Sequence, residues 1–307
     1  MTGSLQLVPL LRRYGTFLGF LLIVSFFWSQ RPDTFMTTRN WLNITQQVSI
    51  LCVISFTMTL VMVGGDFDLS VGSMASLSGM IAAVLWQQEV RLFGALGAAV
   101  LVGAFGGVFN GVLVAYAGLS AFVATLGTLT IFSGLALLVS DGKTIFGRAI
   151  PEIVGDFSRG GIPLAEGIQL PNLTLIAISV LILMGIVLQH TVFGRNLHAV
   201  GGNREASLLA GVPVARLRLI AFAFNGVGAA IAGLMLVSRL SSANPTQGDG
   251  LMLNAIASVF VGMTMSEEGE PNLFGTLTGV LILGVLSNGL TQLRIDTYVQ
   301  QILTGLI

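Results

Sequence analysis

The chain has 307 residues, of which 54% are hydrophobic and 9% are charged, and its formal net charge is +0. Soluble domains carry about 25% charged residues, so these few ionisable side chains cannot cover a water-soluble surface, and the composition predicts an integral membrane protein. Nucleic acid is excluded as a predicted partner, because there is no basic excess to neutralise phosphates. With one cysteine and two histidines, neither a disulfide framework nor a metal site is predicted.

Membrane spans are predicted from the runs that lack Asp, Glu, Lys and Arg, because a helix needs about 20 mostly apolar residues to cross the bilayer core. These runs are 14–30, 40–65, 69–88, 92–140, 167–194, 219–238, 250–266, 271–293 and 297–307. The fourth run is long enough for two helices, with a turn at 118–120. Long apolar blocks exclude a β-barrel, which would show short alternating segments. The fold class predicted is therefore an all-α membrane protein of about ten transmembrane helices, with 1–307 as one domain.

The first and last apolar runs differ from the others. The first run ends on polar residues with no small-residue cleavage site, so we expect a retained helix and not a signal peptide. The last run has about half the length of a span, so we expect the tenth helix to be incomplete in this chain.

Two long polar interruptions separate the spans. Residues 141–172 are predicted to form an extramembrane loop with a short helix, and 191–218 lie on the opposite side of the membrane. We expect every other connection to be a tight turn. Counting Lys and Arg in the loops does not decide the orientation, although the dense clusters Arg12-Arg13 and 204–218 both fall on the side taken as cytoplasmic.

The two halves of the chain resemble each other weakly. Gly65-Asp66 before the run at 69–77 is echoed by Gly248-Asp249 before 250–258, and 110–113 is echoed by 288–290. The separation is close to five spans. An odd number of helices places the two units in opposite orientations, so the pattern predicts an inverted repeat of five helices, which favours a transporter over a receptor or an anchor.

The turn at 64–72 carries the sharpest polar signal, since charges near a membrane core are candidates for function. Asp68 or Ser70 is predicted to cap the helix that begins near Val71, by accepting from unpaired backbone N–H groups. The alternative is a direct part in the substrate path or its gate. Both interpretations can hold together.

Three asparagines inside apolar runs are further candidates for the substrate path. Asn110 shares a helix face with Gly103, Gly107 and Gly111, a small-xxx-small pattern that lets two helices approach closely. Its amide is either an interhelical hydrogen bond or a group facing the pore, and Asn288 allows the same two interpretations. Asn254 stacks with Ser258 at i, i+4, and this pair either lines a polar path or packs between helices.

Enzyme motifs are not found. Gly142-Lys143-Thr144 has the tail of a phosphate-binding loop, but Leu137 stands where the motif requires glycine and no strand precedes it. The chain is therefore not predicted to hydrolyse ATP itself, and no catalytic residue is assigned.

The interruption at 194–218 contains a predicted short helix. Asn203 can cap it, Glu205 lies in its first turn where the helix dipole favours an acid, and Gly211 ends it just before Pro213. An exposed helix held between two spans suits docking of another protein. The alternative is a surface helix with no partner.

Four ordered motifs, from about residue 40 to the end, resemble the permease subunits of ribose-type ABC sugar importers. One motif is similar to that family's cytoplasmic coupling loop. It comprises Gly201, Gly202, Asn203, Arg204, Glu205 and Ala206, followed by Gly211. The turn at 65–73 looks like the family's Gly-Gly-x-Asp-Leu-Ser-Val-Gly-Ser signature, with an extra residue and an extra acid. The other two motifs lie at 238–246 and 275–290.

The resemblance implies a ten-helix permease of the bacterial inner membrane that pairs with a second copy or a sister permease. ATP-binding cassette subunits would dock on the coupling loop, and a periplasmic binding protein would deliver a sugar or a sugar-like solute. No cofactor would be held by this chain, because ATP and Mg²⁺ would bind to the partner. The residues alone also allow an ion-coupled secondary transporter or facilitator acting without ATPase subunits, for which Asp66 and Asp68 are the candidate groups.

Overall fold

The computed structural model describes the backbone of residues 4–266 and 268–306, with side chains from residue 15 onward in those ranges. The side chains of Arg12 and Arg13 and the last residue, Ile307, lie outside this part. The described chain is mostly helical, and its α-helices run α1 Ser4–Gln30, α2 Pro32–Phe35, α3 Thr38–Val63, α4 Val71–Gln87, α5 Leu92–Ala115, α6 Ala121–Val139, α7 Glu152–Arg159, α8 Asn172–His190, α9 Val192–Gly202, α10 Arg204–Leu209, α11 Val214–Leu240, α12 Leu251–Met263, α13 Leu273–Gln292 and α14 Thr297–Gly305.

Each predicted apolar run contains a helix, and the run at 92–140 contains two. Its chain reversal falls at Gly118, which adopts φ +73°, a conformation open to glycine. Within the described residues, six helices are long and apolar enough to cross a membrane: α3, α5, α6, α8, α11 and α13. By the same measure, α4 with 17 residues and α12 with 13 are shorter apolar helices.

The connection between α11 and α12 is not the tight turn that the sequence predicts. Helix α11 ends at Ser241 in the left-handed region (φ +49°), and the short strand β4 (Ser242–Ala243) pairs with β1 (Ile145–Phe146). The chain then returns along α4, where the Gly248 N–H donates to the Ser76 hydroxyl at 2.8 Å. Helix α12 begins at Leu251, at the start of the predicted run, and is shorter than that run because it ends at Met263.

The interruption at 141–172 contains the expected short helix, α7. It also contains an antiparallel hairpin that was not predicted, formed by β2 (Gly161–Ala165) and β3 (Ile168–Pro171). Helix α7 is fastened to the end of α11, since the Ser158 hydroxyl donates to the Ser238 carbonyl at 2.9 Å. We call this end of the bundle the α7 end.

Helix α11 is the centre of the bundle and packs against α3, α4 and α5. Its closest neighbour is α5, where the predicted stripe of small residues lies against the α11 backbone. A β-carbon added at Gly103 would overlap the Gly226 carbonyl oxygen, and one at Gly107 would overlap that of Phe222. The predicted close approach of a second helix to α5 is therefore confirmed, and that helix is α11. The turn at 64–70 lies next to this contact.

Candidate functional site

The turn between α3 and α4 begins at a glycine pair that ends α3. Gly65 has φ +79°; its N–H bonds to the Met62 carbonyl, and the Asp66 N–H bonds to the Val61 carbonyl. This is the Schellman arrangement, in which a left-handed glycine satisfies the last carbonyls of a helix. The pair turns the chain sharply and directs Asp66 and Asp68 into the protein, where both are buried.

Asp66 forms a buried ion pair with Arg218 near the start of α11. The Arg218 Nε lies 2.6 Å from Oδ2 and its Nη2 lies 2.7 Å from Oδ1, a two-point contact of the kind that guanidinium groups favour. Arg218 also donates to the Val114 carbonyl at the end of α5, at 3.2 Å. A second arginine, Arg204 at the start of α10, lies 3.4 Å from Oδ1. Asp66, the extra acid of this turn, is therefore paired with two arginines that are far away in sequence.

Asp68 lies in a different environment, because every donor that reaches it among the described residues is uncharged. Its Oδ1 accepts from the Ser70 N–H at 2.9 Å, from the Ser70 hydroxyl at 2.6 Å and from Asn110 at 3.4 Å. Its Oδ2 accepts from Asn225 of α11 at 2.9 Å. Asn225 in turn accepts from Thr57 of α3. The carboxylate therefore bonds directly to α5 and α11 and is linked to α3 through Asn225.

The structure brings Ser70 and Asn110 together at Asp68. The Ser70 hydroxyl caps no N–H of α4; it donates to Asp68 and accepts from Asn110 Nδ2 at 2.7 Å. Asn110 is 1% exposed and its amide bonds to the turn before α4, while a part in the substrate path stays a prediction. Asp68 bonds to the N–H of the cap residue itself and thereby stabilises the entry to α4.

The other two asparagines lie elsewhere. Asn288 is buried and accepts from Gln292 one turn further along α13, at 3.0 Å. Asn254 borders a separate cavity of about 240 Å³, shared with Gln47 of α3 and Arg239 of α11. The turn cluster therefore unites Asp68, Ser70 and Asn110 but not Asn254 or Asn288.

Two members of the cluster, Arg218 and Asn225, were missed by sequence reasoning. Arg218 borders a predicted span and was interpreted only as part of a basic cluster. Asn225 is an isolated amide inside the run 219–238. An isolated polar residue in an apolar run is itself a signal, since such residues pair with another group in the bundle.

Helix α10 has the local structure that its sequence predicts, whereas α9, which precedes it, was not predicted. Asn203 Oδ1 accepts from the Ala206 N–H at 2.9 Å and so caps α10. At the other end Gly211 has φ +79°, its N–H bonds to the Leu208 carbonyl, and the Val212 N–H bonds to the Ser207 carbonyl. Both ends of the six-residue helix are therefore fixed by its own sequence.

The same segment presents a polar and apolar surface at the end of the bundle opposite α7, which we call the α10 end. The exposed residues are Gly201, Gly202, Asn203, Arg204, Glu205 and Ala206, together with Gly211. Leu208 and Leu209 are 65% and 89% exposed. An exposed helix with charged and large apolar side chains is suited to contact with a protein partner. Among the described residues no group of three or more His, Cys, Asp or Glu side chains could hold a metal ion.

Comparison with known proteins agrees with this architecture. Residues 40–307 match the family described as branched-chain amino acid transport system / permease component. The chain is 36% identical to the ribose import permease protein RbsC of Bacillus subtilis, over 97% of this chain and 90% of that protein. It is 35% identical to the D-allose transport system permease protein AlsC of Escherichia coli, over 95% and 88%.

A third relative and one solved structure extend the comparison. The L-arabinose transport system permease protein AraH of Escherichia coli is 34% identical over 89% of this chain and 81% of its own. A solved structure of a metal-chelate type ABC transporter in an inward-facing conformation has a TM-score of 0.50 at 17% identity and covers 97% of this chain and 96% of its own; it supports the fold alone. The chain belongs to the permease-component family of these transport systems, and it is a multi-pass membrane transport component, not an enzyme.

Proposed function

We propose that this chain is the transmembrane subunit of an ATP-driven importer of a monosaccharide in the bacterial inner membrane. The observation that carries the proposal is similarity over nearly the full chain to permeases named for ribose, allose and arabinose. Since the chain lacks a nucleotide-binding motif, ATP and Mg²⁺ belong to a separate ATPase subunit. A solute-binding protein delivers the sugar, and a second permease copy or a sister permease completes the membrane part.

The ten-helix topology is part of this proposal. A helix lies in each predicted span, and the two shorter internal ones, α4 and α12, both follow an irregular segment, at 64–70 and 241–250. Transporters commonly place such interrupted helices in corresponding positions of two repeats. Together with α1 and α14, these helices bring the count from six to ten.

The packing supports the inverted repeat of five helices, in which α3–α6 of one unit correspond to α11–α14 of the other. Helices α3 and α11 are antiparallel, because Thr57 in the second half of α3 bonds to Asn225 in the first half of α11, while Arg239 donates to the Gln47 carbonyl. Each also packs on the other unit: α11 on α4 and α5, and α3 on α12 and α13. This arrangement is accounted for if α3 and α11 are the corresponding helices of two units in opposite orientation, and each packs on the other unit.

The α10 end is the proposed cytoplasmic side, where α9–α10 receives the ATPase subunit. Helix α7 and its hairpin then face the binding protein at the opposite end. The two ends offer a matched pair of exposed acids, each in the first turn of a short helix: Glu205 of α10 and Glu152 of α7. Glu205→Ala should reduce recovery of the ATPase subunit on the purified permease, whereas Glu152→Ala should leave it unchanged. Equal recovery with both variants would refute this docking assignment.

Reconstitution tests the function itself. The chain is placed in proteoliposomes with or without the ATPase subunit and binding protein of the same organism, and uptake of labelled ribose, allose and arabinose is measured. Uptake of one sugar that requires ATP and both partners is the expected result. Uptake by the permease alone under an ion gradient would instead establish a secondary transporter, the alternative for which the carboxylates are the candidate groups. The buried pairing of Asp66 with Arg218 favours the importer, since this carboxylate is already occupied.

A further inference from the structure

The two arginines that reach Asp66 hold it in unequal ways. The Arg218 contact is buried and short, with the Arg218 side chain 9% exposed. The Arg204 contact is a single approach of 3.4 Å by a side chain that is 46% exposed. Arg218 belongs to the bundle, whereas Arg204 belongs to the α9–α10 segment on the surface. Asp66 therefore joins a fixed element to one that a partner can reach.

Close backbone contacts between α9 and the turn lie next to the ion triad of Asp66, Arg204 and Arg218. A β-carbon at Gly201 of α9 would overlap the Val63 carbonyl oxygen, and one at Gly65 would lie 3.9 Å from the Gly201 α-carbon. One at Gly64 would lie 3.1 Å from the Leu197 side chain. The end of α9 is thus seated directly on the turn. A displacement of α9–α10 cannot occur without a matching change at this contact.

The same turn also contacts the interior of the bundle. From Asp66 the chain passes to Asp68, whose carboxylate bonds to Asn110 of α5 and Asn225 of α11. Directly after Asp68, the Leu69 N–H donates to the Thr125 hydroxyl of α6 at 3.0 Å. Three helices of the bundle are therefore bonded to the segment that Asp66 positions.

We propose that Asp66 is a positioning residue for transport: through Arg204 it ties the ATPase-docking segment to the turn and hence to the Asp68 network. The inference rests on the proposed function. Arg218 supplies the buried two-point contact that orients Asp66, and Arg204 supplies the exposed contact. Asp66 is the acid that the Gly-Gly-x-Asp-Leu-Ser signature lacks, and in this proposal it connects the α9–α10 segment to the Asp68 network.

The test uses the assembled transporter with its ATPase subunit and binding protein in proteoliposomes, and it measures sugar imported per ATP hydrolysed. Arg204→Gln removes the exposed contact and leaves the buried pair intact, so the permease should fold, and the ratio is measured on complexes purified through the ATPase subunit. We expect the ratio to fall about fivefold, the lower end of measured coupling between sites. Arg204→Lys, which keeps the charge, should recover part of the loss.

Arg216→Gln is the matched control, because Arg216 is exposed in the same region and its side chain bonds to no described residue. The ratio should stay at the unsubstituted value. An equal fall in the control would show that lost surface charge is responsible, and loss of the ATPase subunit from Arg204→Gln would show that Arg204 acts in docking. Either outcome overturns the proposal.

A second comparison isolates Asp66. The double variant Asp66→Asn, Arg218→Gln removes both buried charges together, which avoids leaving one unpaired. In this background Arg204→Gln should cause no further fall in the ratio, because its partner is gone; a further fivefold fall would overturn the proposal. If the unsubstituted transporter shows no ATP-dependent uptake, the proposed function itself fails; if it transports and Arg204→Gln remains coupled, only this inference fails.

Discussion

The contact between α5 and α11 offers the sharpest test of the packing. Gly107 of α5 lies against the backbone of α11, so that the β-carbon of Gly107→Ala would overlap the Phe222 carbonyl oxygen and would lie 3.0 Å from its carbonyl carbon. Both atoms are backbone, so no side-chain rotation can relieve the overlap. The helices must separate or tilt. Such a shift also disturbs Asn110, one turn further along α5.

The change in the free energy of unfolding expected for Gly107→Ala is the difference between two opposing effects. Overpacking a closely packed site costs about 1–3 kcal/mol, and the backbone contact places Gly107→Ala near the upper end. Replacing glycine in a helix by alanine returns about 0.5–1 kcal/mol. The expected net loss is about 2 kcal/mol, which corresponds to a fall of roughly 4 °C in melting temperature for a chain of this size.

The assay is thermal unfolding of the purified permease in one detergent, with Gly97→Ala as the control. Gly97 lies in the same helix, is exposed, and has no atom within 4 Å of an added β-carbon. This variant should match or slightly exceed the unsubstituted protein. If the two alanine variants shift the melting temperature equally, or if Gly107→Ala has no effect, the inferred backbone contact is wrong.

Three further predictions concern the turn and the docking segment. Asp66→Asn alone leaves a buried Arg218 without its partner and should cost about 3–5 kcal/mol, seen as a lower yield of folded protein, which the double variant with Arg218→Gln should largely recover. Asp68→Asn should impair both stability, by about 1–3 kcal/mol, and transport, because both carboxylate oxygens accept hydrogen bonds and an amide must turn its NH₂ toward one donor; unchanged melting and uptake would contradict this. Asn203→Ala should cost the α10 cap about 0.5–2 kcal/mol and speed hydrogen exchange there, whereas Asn203→Asp should not.

Much of the site follows from local sequence. The doublet Gly64-Gly65, the cap at Asn203 and the left-handed Gly211 are each determined by residues within one helical turn, so their prediction needed no tertiary information. The residues that meet Asp66 and Asp68 could not be found in the same way. Arg218 is remote in sequence from Asp66, and no periodicity selects it over other arginines in the polar interruption.

The scarcity of charge, 9% of all residues, determined by itself that this is a membrane protein and where its helices lie, because insertion in a bilayer depends on the composition of each short segment alone. The tertiary structure decided the course of the connection between α11 and α12 and which charges meet. The segment at 241–250 is no tight turn because it packs on α4, where Gly248 bonds to Ser76. Asp66 is tolerated inside the protein because folding brings Arg218 to within 2.6 Å of it. A buried charge requires a partner, and only the folded chain selects which one.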